Sequence, residues 1–452
     1  MLNLSPETIC LALMVLMVTL WILEVIPLGI TALLPIVVLP IAGVLPLKEV
    51  TQQYGNPMIF LFLGGFVIAR ALEKTQLNER LALSILRRTG HSASGVLIGF
   101  ILGTAFLSMW ISNTATTLMM VPIALSVLSF FSSHLKSQSK KDLDLFSVSL
   151  FLCIAYSANI GGVITPIGTP PNVVFLGYLE ELYQRQIDFF LWMATVAPIG
   201  VTLLFAMYVI VTKLYPVQLA IPSDFGSYIQ KKLDSQSLLA SEQRVTLCIF
   251  FLTAFLWIFK GLIHKLLGFS ALNDTSIAIL GALLLFLVPT GKGKRTLVKA
   301  DIAFLPWDIV LLFGGGMALA KALAEVGLIE KLVEISSQWH NLSPFLLIAF
   351  LVTMVLLLTE IMSNVALCVV ALPLLMKVAE SQGLDPLLVG IPAVLASSFA
   401  FAFPVSTPPN AIVFGTEKIT MKQMLRAGLL VNVIALAITL LLSGFLIRTI
   451  LL

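Results

Sequence analysis

The stretch Met109-Trp110-Ile111-Ser112-Asn113-Thr114-Ala115-Thr116-Thr117 decides how this chain folds. It lies inside the range 89–135, in which no Asp, Glu, Lys or Arg occurs. A run of that length suits a membrane segment, because roughly 20 apolar residues cross a bilayer. Hydroxyl and amide side chains are costly in such a segment unless they are buried in protein or line a cavity. The stretch therefore predicts a helix that is interrupted deep in the membrane.

The same pattern occurs again in the other half of the chain. Glu360-Ile361-Met362-Ser363-Asn364-Val365 repeats the Ser-Asn pair at an offset of 363 − 112 = 251. A second kind of break, Gly168-Thr169-Pro170-Pro171-Asn172, recurs as Ser406-Thr407-Pro408-Pro409-Asn410, with 408 − 170 = 238. Consecutive prolines remove two backbone donors and leave earlier carbonyls unpaired. Each half of the chain therefore contains two interrupted helices in the same order.

These repeats define the predicted organisation of the chain. The first half, 1–215, contains a glycine-rich re-entrant hairpin at 57–73, a broken span at 95–131 and a Pro-Pro-Asn break at 145–179. A polar linker, 216–244, leads to the second half, 245–452, with the matching elements at 306–325, 344–376 and 387–415. Repeats with interrupted helices in corresponding positions point to a secondary transporter whose site lies near the membrane midplane. An odd number of spans per half would invert the repeats, and we favour that arrangement.

Composition sets the fold class. The chain has 452 residues, of which 59% are hydrophobic and 11% are charged, whereas soluble domains carry roughly 25% charged residues. We expect an all-α polytopic membrane protein with about 11 spans of the usual helical length. The net charge of +4 gives no case for nucleic-acid binding. The four cysteines lie in apolar segments without CxxC spacing, which argues against disulfides and metal clusters.

The N-terminal segment is interpreted as a retained span. The chain opens without a basic region or a small-residue cleavage site, so Ile9 to Leu23 is expected to stay in the protein as its first helix. Short termini and compact loops favour a bacterial inner membrane over a eukaryotic one.

Helix breaks of this kind can bind ions of both signs. A broken helix presents unpaired N–H groups at one end and unpaired carbonyls at the other. The N–H groups attract anions, and the carbonyls coordinate cations such as Na⁺. Ser, Asn and Thr side chains add donors and acceptors without charge. Two such breaks could hold the two ends of a dianion with a hard cation beside it.

The sequence also allows other roles for Glu360 and other classes of membrane protein. Glu360 is the only acidic residue in the second broken span; it is either a structural partner of a helix end or a nearby Lys or Arg, or a group in ion or proton coupling. An anion channel is compatible with broken helices. A membrane enzyme is not favoured, because no His-containing metal motif, no GxxxxGK[ST] and no G-x-S-x-G occurs.

The Ser-Asn-Thr and Thr-Pro-Pro-Asn motifs together resemble those of the divalent-anion:sodium symporter family, whose members carry di- and tricarboxylates or sulfate. The resemblance covers nearly the whole chain. It implies two inverted repeats with re-entrant hairpins and broken helices, a homodimer, and a transport domain that moves against a scaffold as an elevator.

The resemblance also implies site residues. Sodium ions, as coupling ions, would be held at a first site by Ser108, Ser112, Asn113 and the backbone of Gly168. A second site would use Thr359, the carbonyl of Met362, Asn364 and the carbonyl of Ser406. The implied substrate positions are Asn113, Thr114, Thr169, Pro170, Ser363, Asn364, Val365, Thr407 and Pro408.

One departure from the family pattern bears on the substrate. The second motif often ends in Thr in dicarboxylate members, but this chain has Val365. A lost hydrogen bond to a charged group is worth roughly 1.5–3 kcal/mol. We expect a sodium-coupled symporter of C4-dicarboxylates such as succinate, malate and fumarate. A citrate or sulfate carrier, or an anion exchanger of the same fold, is the alternative.

Overall fold

The computed structural model describes residues 5–23, 25–134, 140–236, 240–268, 272–291, 293–336 and 343–452. Its first eleven helices are α1 (Pro6–Leu23), α2 (Leu28–Thr31), α3 (Leu34–Ile41), α4 (Leu47–Gln53), α5 (Pro57–Lys74), α6 (Leu77–Thr89), α7 (Ala93–Ser108), α8 (Asn113–His134), α9 (Lys140–Val163), α10 (Pro170–Tyr183) and α11 (Phe189–Leu214). The remaining ones are α12 (Phe225–Ser235), α13 (Ser241–Leu267), α14 (Asp274–Leu287), α15 (Trp307–Glu325), α16 (Leu328–Ser336), α17 (Pro344–Leu358), α18 (Asn364–Ser381), α19 (Leu387–Ser398), α20 (Pro408–Phe414) and α21 (Met421–Ile450). Two short antiparallel strands, β1 (Pro289–Gly291) and β2 (Lys294–Arg295), and a 3₁₀ helix, Lys299–Phe304, follow α14.

The architecture confirms an all-α polytopic membrane protein. Within the described ranges, nine helices are long and apolar enough to cross a membrane, and shorter apolar helices accompany them. Many large apolar side chains on these helices are exposed, as expected where lipid covers the surface. Length and composition give candidates only, so the expected total of about 11 spans stays a prediction.

The hairpins predicted at 57–73 and 306–325 are wrong. Both segments are single continuous helices, α5 and α15, which run through their glycines without a break. The glycines serve close packing instead. A Cβ on Gly64 would lie 2.7 Å from the Ala278 backbone in α14, and one on Gly315 would lie 2.1 Å from the Ala32 carbonyl oxygen. Small residues let helix backbones approach closely in membranes, so glycine here marks a contact.

The interruption near Ser112 is the tip of a hairpin, which corrects the broken span predicted at 95–131. Gly103 in α7 lies beside the Met120 methyl group in α8. At the open end, a Cβ on Gly90, just before α7, would lie 2.9 Å from the Phe225 ring, and Phe131 near the end of α8 lies 5.0 Å from the same ring. The two ends of the pair therefore lie together. With 16 residues, α7 reaches about 24 Å into a hydrocarbon core of about 30 Å.

The predicted broken span at 344–376 is corrected in the same way. Leu347 and Leu351, early in α17, share a small apolar cluster with Ala379, near the end of α18, and with Val389. The start of α17 and the end of α18 therefore lie together, and the residues between them, 359–363, form a second tip. The hairpin begins at Pro344, and 344 − 93 = 251, so the two hairpins match along the repeat.

The two hairpins open toward opposite faces of the molecule. The first opens beside Phe225, and α9 starts from that side. With 24 residues, α9 is about 36 Å long, which is enough to cross the membrane core before α10 continues. Just beyond α10, Arg185 forms a 2.7 Å ion pair with Asp385, which follows α18 at the open end of the second hairpin. This is the arrangement of inverted repeats that the sequence analysis favours.

The helices form two groups. In the first, here called the scaffold body (α1–α5 and α13–α15), α14 packs on α5 and α13, and α15 packs on α2, α3 and α4. In the second, called the hairpin body (α7–α11 and α17–α21), α9 packs on α7, α8, α11 and α20, while α19 and α21 pack on α17. Inside the hairpin body, helices from one half of the chain pack on helices from the other half: α10 packs on α18, and α20 packs on α8. Each Pro-Pro-Asn helix thus meets the hairpin of the other half.

Candidate functional site

The first hairpin tip gathers oxygen atoms. Ser108 Oγ, fully buried at the end of α7, lies 2.7 Å from Asn113 Oδ1 and 2.7 Å from the carbonyl oxygen of Ala158. A hydroxyl has one hydrogen and can donate it to only one of these acceptors. The carboxamide orientation follows from the hydrogen-bond network. With Asn113 Oδ1 facing this way, three oxygens share one proton, and a hard cation would satisfy the lone pairs left over.

Glycines bring two more carbonyls to this cluster. A Cβ on Gly162 would lie 2.2 Å from Asn113 Oδ1, so only glycine leaves room for the tip. A Cβ on Gly168 would lie 2.5 Å from the Gly162 carbonyl oxygen and 2.8 Å from that of Ser108. The unwound segment between α9 and α10 therefore lies against the hairpin tip. Ser108, Asn113 and Gly168 come together as the sequence analysis expects.

The second tip repeats this geometry. Thr359 Oγ1, also fully buried, lies 2.8 Å from Asn364 Oδ1 and contacts the carbonyl oxygen of Ser397. Thr359 and Asn364 stand 251 positions after Ser108 and Asn113. Again one hydroxyl hydrogen faces two acceptors. The molecule thus contains two matching oxygen clusters, one at each tip.

Glu360 stabilises the unwound segment between α19 and α20. Its buried carboxylate accepts hydrogen bonds from the backbone N–H groups of Phe401, Ala402 and Phe403, at 3.0–3.3 Å, from Ser406 Oγ at 2.6 Å and from Asn432 Nδ2. Donors of this number satisfy a buried carboxylate. These contacts are those of a structural partner, and they fix the segment that carries Ser406.

The Asn residues of the two Pro-Pro-Asn motifs donate hydrogen bonds to backbone carbonyls that the prolines leave unpaired. Asn172 Nδ2 donates to the Thr165 carbonyl at 2.8 Å and the Val163 carbonyl at 3.2 Å. Asn410 Nδ2 donates to the carbonyls of Ala400 and Phe403, each at 3.0 Å. Both asparagines are fully buried. Their amide groups replace the lost intrahelical partners of these carbonyls and so hold the unwound segments in shape.

A chain of side chains joins the two halves at the site. Asn113 Nδ2 donates to Asn159 Oδ1 at 3.4 Å, and Asn159 Nδ2 donates to Thr407 Oγ1 at 3.1 Å. The backbone N–H of Asn410 also donates to Thr407 Oγ1, at 3.3 Å. The first oxygen cluster is therefore linked to the Thr-Pro-Pro-Asn motif of the second half.

The remaining predicted residues lie around these two centres. Thr169 and Thr407 are buried N-caps of α10 and α20, and Pro170 and Pro408 occupy the first positions of those helices. Ser406 contacts Glu360 through its hydroxyl. Within the described part of the chain, no hydrogen bond joins Thr169 to the second tip. Five predicted residues are half-buried at the tips: Ser112, Thr114, Met362, Ser363 and Val365.

Sequence analysis missed three groups at the site. The carbonyls of Ala158 and Ser397 belong to the oxygen clusters, but side-chain motifs give no information about backbone oxygens. Asn159 is a buried amide in an otherwise apolar stretch of α9. That contrast, four residues before the end of α9 at Val163, is a signal that could have identified it.

Comparisons with known proteins identify the family of the chain. The family model for the sodium:sulfate symporter transmembrane region matches residues 4–451. The sodium-dependent dicarboxylate transporter SdcS of Staphylococcus saprophyticus is 38% identical and aligns over 99% of this chain and 88% of its own length. SdcS of Staphylococcus aureus is 38% identical over 94% of this chain and 82% of its own length.

Solved structures show the same fold at low identity. The Alcanivorax borkumensis YdaH transporter has a TM-score of 0.56 at 13% identity, covering 98% of each chain. Neisseria gonorrhoeae MtrF has a TM-score of 0.61 at 14% identity, covering 99% of this chain and 95% of its own. With the family model matching almost every residue, the chain belongs to the sodium:sulfate symporter family, the divalent-anion:sodium symporters that its motifs resemble.

Proposed function

We propose that this protein is a secondary transporter that couples the entry of sodium ions to the uptake of a small dianionic carboxylate, with succinate, malate and fumarate as the leading substrates. The observation that carries the proposal is the pair of oxygen clusters at the hairpin tips. Each has one hydroxyl hydrogen for two acceptor oxygens. Such clusters suit hard cations, and the SdcS relatives are named sodium-dependent dicarboxylate transporters.

The first sodium ion would be held by Ser108, Asn113, the Ala158 carbonyl and the backbone near Gly168, with Ser112 at the edge. The second would be held by Thr359, Asn364, the Ser397 carbonyl and the carbonyls of Met362 and Ser406. Asn113 and Asn364 stand at the start of α8 and α18, where free N–H groups favour an anion. Each asparagine can therefore serve an ion on one side and the substrate on the other.

The substrate would lie between the tips and the starts of α10 and α20. Its donors would be the tip residues Asn113, Thr114, Ser363 and Asn364 and the hydroxyls of Thr169 and Thr407, with Pro170, Pro408 and Val365 shaping the walls. Within the described residues, no ion pair involves any of these positions. The sodium ions would supply the compensating charge, which ties ion binding to anion binding.

We further propose that the hairpin body moves against the scaffold body as an elevator, and that the protein forms a homodimer through the scaffold. The site residues all belong to the hairpin body, so a rigid displacement would carry ions and substrate together. The two bodies are connected by α6 and α16 and also pack directly, α15 on α18 and α10, α5 on α10, and α13 on α11. The displacement would have to slide along these contacts.

Uptake into vesicles tests the proposal. Purified protein in proteoliposomes should accumulate labelled succinate when sodium is outside and should fail to do so when K⁺ or choline replaces sodium. Equal uptake in all three would overturn sodium coupling. Uptake that does not saturate with succinate would indicate a channel.

A second candidate, a carrier of sulfate or citrate, is favoured by Val365. This side chain has no hydroxyl where the first half has Thr114, so the pocket offers one donor fewer to a second carboxylate. Competition of unlabelled sulfate and citrate against labelled succinate separates the candidates, because the true substrate competes at the lowest concentration.

A further inference from the structure

The buried side chain of Asn159 lies between the two halves of the site. It is 1% exposed and is the only bridge in the described structure between Asn113 of the first tip and Thr407 of the second half. Its counterpart in the second half is Ser398, at the offset of 239 that also relates the Ala158 and Ser397 carbonyls. Ser398 Oγ is buried without a hydrogen-bond partner, and the Thr169 hydroxyl makes no hydrogen bond within the described residues. The bridge therefore exists in one half alone.

The bridge can be hydrogen-bonded in two directions. In the first, Asn113 Oδ1 faces the oxygen cluster, Asn113 Nδ2 donates to Asn159 Oδ1, and Asn159 Nδ2 donates to Thr407 Oγ1. If both carboxamides rotate by half a turn, Asn113 Nδ2 donates to Ser108 Oγ, Asn159 Nδ2 donates to Asn113 Oδ1, and the Thr407 hydroxyl donates to Asn159 Oδ1. Both directions join the same atoms, because each amide end can exchange donor for acceptor. They differ in that only the first leaves the Thr407 hydrogen and the lone pairs of the oxygen cluster without a partner.

A cation selects between these directions. Sodium at the first cluster attracts Asn113 Oδ1 and repels its NH₂ group, which fixes the first direction. Thr407 Oγ1 then accepts from Asn159 Nδ2 and from the Asn410 N–H. Both of its acceptor positions are filled, and its hydrogen is free to donate to an anion. Without sodium, the second direction uses that hydrogen for Asn159.

We propose that Asn159 is a positioning residue that transmits sodium binding at the first tip to the anion-binding hydroxyl of Thr407. The proposal rests on the proposed function, because it assumes a sodium ion at the first cluster and an anion near Thr407. It adds a route by which sodium binding and anion binding are coupled, through rotation of the Asn113 and Asn159 carboxamides and without any movement of the backbone.

The coupling factor is the quantity to measure. It is the ratio of the succinate dissociation constants of purified protein in choline and in saturating sodium, from equilibrium binding of labelled succinate. Asn159→Ser, which copies Ser398, should lower this factor by about tenfold, because one hydrogen bond to a charged group is lost. Ser398→Ala, which removes a hydroxyl without a hydrogen-bond partner in the described part of the chain, is the matched control and should retain the wild-type factor.

A double-mutant cycle shows whether Asn159 acts through Thr407. In the background of Thr407→Val, the further change Asn159→Ser should leave succinate affinity in sodium unchanged. A merely structural role would lower affinity equally in both backgrounds.

Several results would overturn the proposal. A wild-type coupling factor in folded Asn159→Ser, or full additivity in the cycle, contradicts it. If Asn159→Ser does not fold, the pair Thr407→Ser and Thr407→Val tests the same bridge at its other end, because serine keeps the hydroxyl and valine removes it. Equal coupling factors in these two variants contradict the proposal. The absence of any sodium effect in the wild type would instead refute the proposed function.

Discussion

At the scale of single residues, the two half-sites are alike in the proposed ion ligands and differ at the proposed substrate positions. Ser108 and Thr359 carry the same hydroxyl geometry. Thr114 and Val365 stand at matching positions, 251 apart, and both are half-buried at a tip. The hydroxyl that the first half offers is absent from the second, and this difference bears on substrate choice.

Val365→Thr should therefore strengthen dicarboxylate binding. A new hydrogen bond to a carboxylate is worth about 1.5–3 kcal/mol, and the side chains have nearly the same size. Equilibrium binding of labelled succinate in sodium measures the change. Thr114→Val, the reverse exchange in the other half, serves as the matched variant and should weaken binding. If neither exchange alters succinate affinity, these positions do not contact the substrate.

Gly162→Ala should damage the first ion site while the fold persists. The added methyl group would lie 2.2 Å from Asn113 Oδ1, so the asparagine must move away from Ser108. We expect a sodium requirement raised by about tenfold, the cost of one ion–dipole contact of about 1.4 kcal/mol. The sodium dependence of uptake measures it. Gly226→Ala, where a Cβ meets nothing within 4 Å, is the control, and equal sodium dependence in the two variants would contradict our placement of the site.

At the scale of elements, the positions of the repeats could be predicted from the sequence. Which segments cross the membrane and which turn back as hairpins could not. The offsets of 251 and 238 located both tips and both Pro-Pro-Asn breaks. The glycines at 64–65 and 314–316 predict breaks, but in the structure Gly64 and Gly315 allow close contact with Ala278 and Ala32. A sequence shows that a residue is small but not which neighbour needs the space. The turn of the chain at residues 109–112 likewise depends on packing at the far end, near Phe225.

The unwound segment after α19 depends on Glu360. Glu360→Gln replaces one acceptor oxygen by an NH₂ group, so the backbone N–H of either Phe401 or Phe403 loses its acceptor and faces a donor instead. We expect a loss of stability of about 1–3 kcal/mol, the usual cost of an unsatisfied buried group, and a weaker second ion site. Thermal unfolding of the purified variant, with and without sodium, measures both. Glu417→Gln at an exposed position is the control. An unchanged melting temperature and sodium response in Glu360→Gln would show that the carboxylate has no such role.

At the scale of the whole molecule, a polar junction joins the hairpin body to the scaffold body, in addition to the packing of α15 on α18 and of α5 on α10. Lys260 of α13 is 7% exposed and pairs with Asp274 at 2.8 Å and with Asp188, the residue that precedes α11. Asp274 also accepts a hydrogen bond from the Phe189 N–H at 2.8 Å. Trp257 stacks on Phe189 at 4.4 Å. An elevator movement has to break these contacts.

A cross-link at this junction should stop transport and leave binding intact. In a background with Cys248, the exposed native cysteine, replaced by Ser, the pair Asp188→Cys and Lys260→Cys can be joined by a reducible bifunctional reagent. We expect succinate uptake to fall to background after cross-linking and to return on reduction, since the bodies are then released. Sodium-dependent succinate binding should persist throughout. Uptake that continues at full rate in the cross-linked protein would contradict an elevator movement at this junction.

The central claim is that two oxygen clusters, one at each hairpin tip, hold sodium beside the anion. The most direct test is equilibrium binding of succinate to purified protein during a sodium titration. Wild-type binding should rise with sodium, and Ser108→Ala and Thr359→Ala should each need about tenfold more sodium. Thr353→Ala, whose hydroxyl bonds, among the described residues, only to the Ala349 carbonyl of its own helix, should follow the wild type. Succinate binding that ignores sodium, or four titration curves that coincide, would contradict the claim.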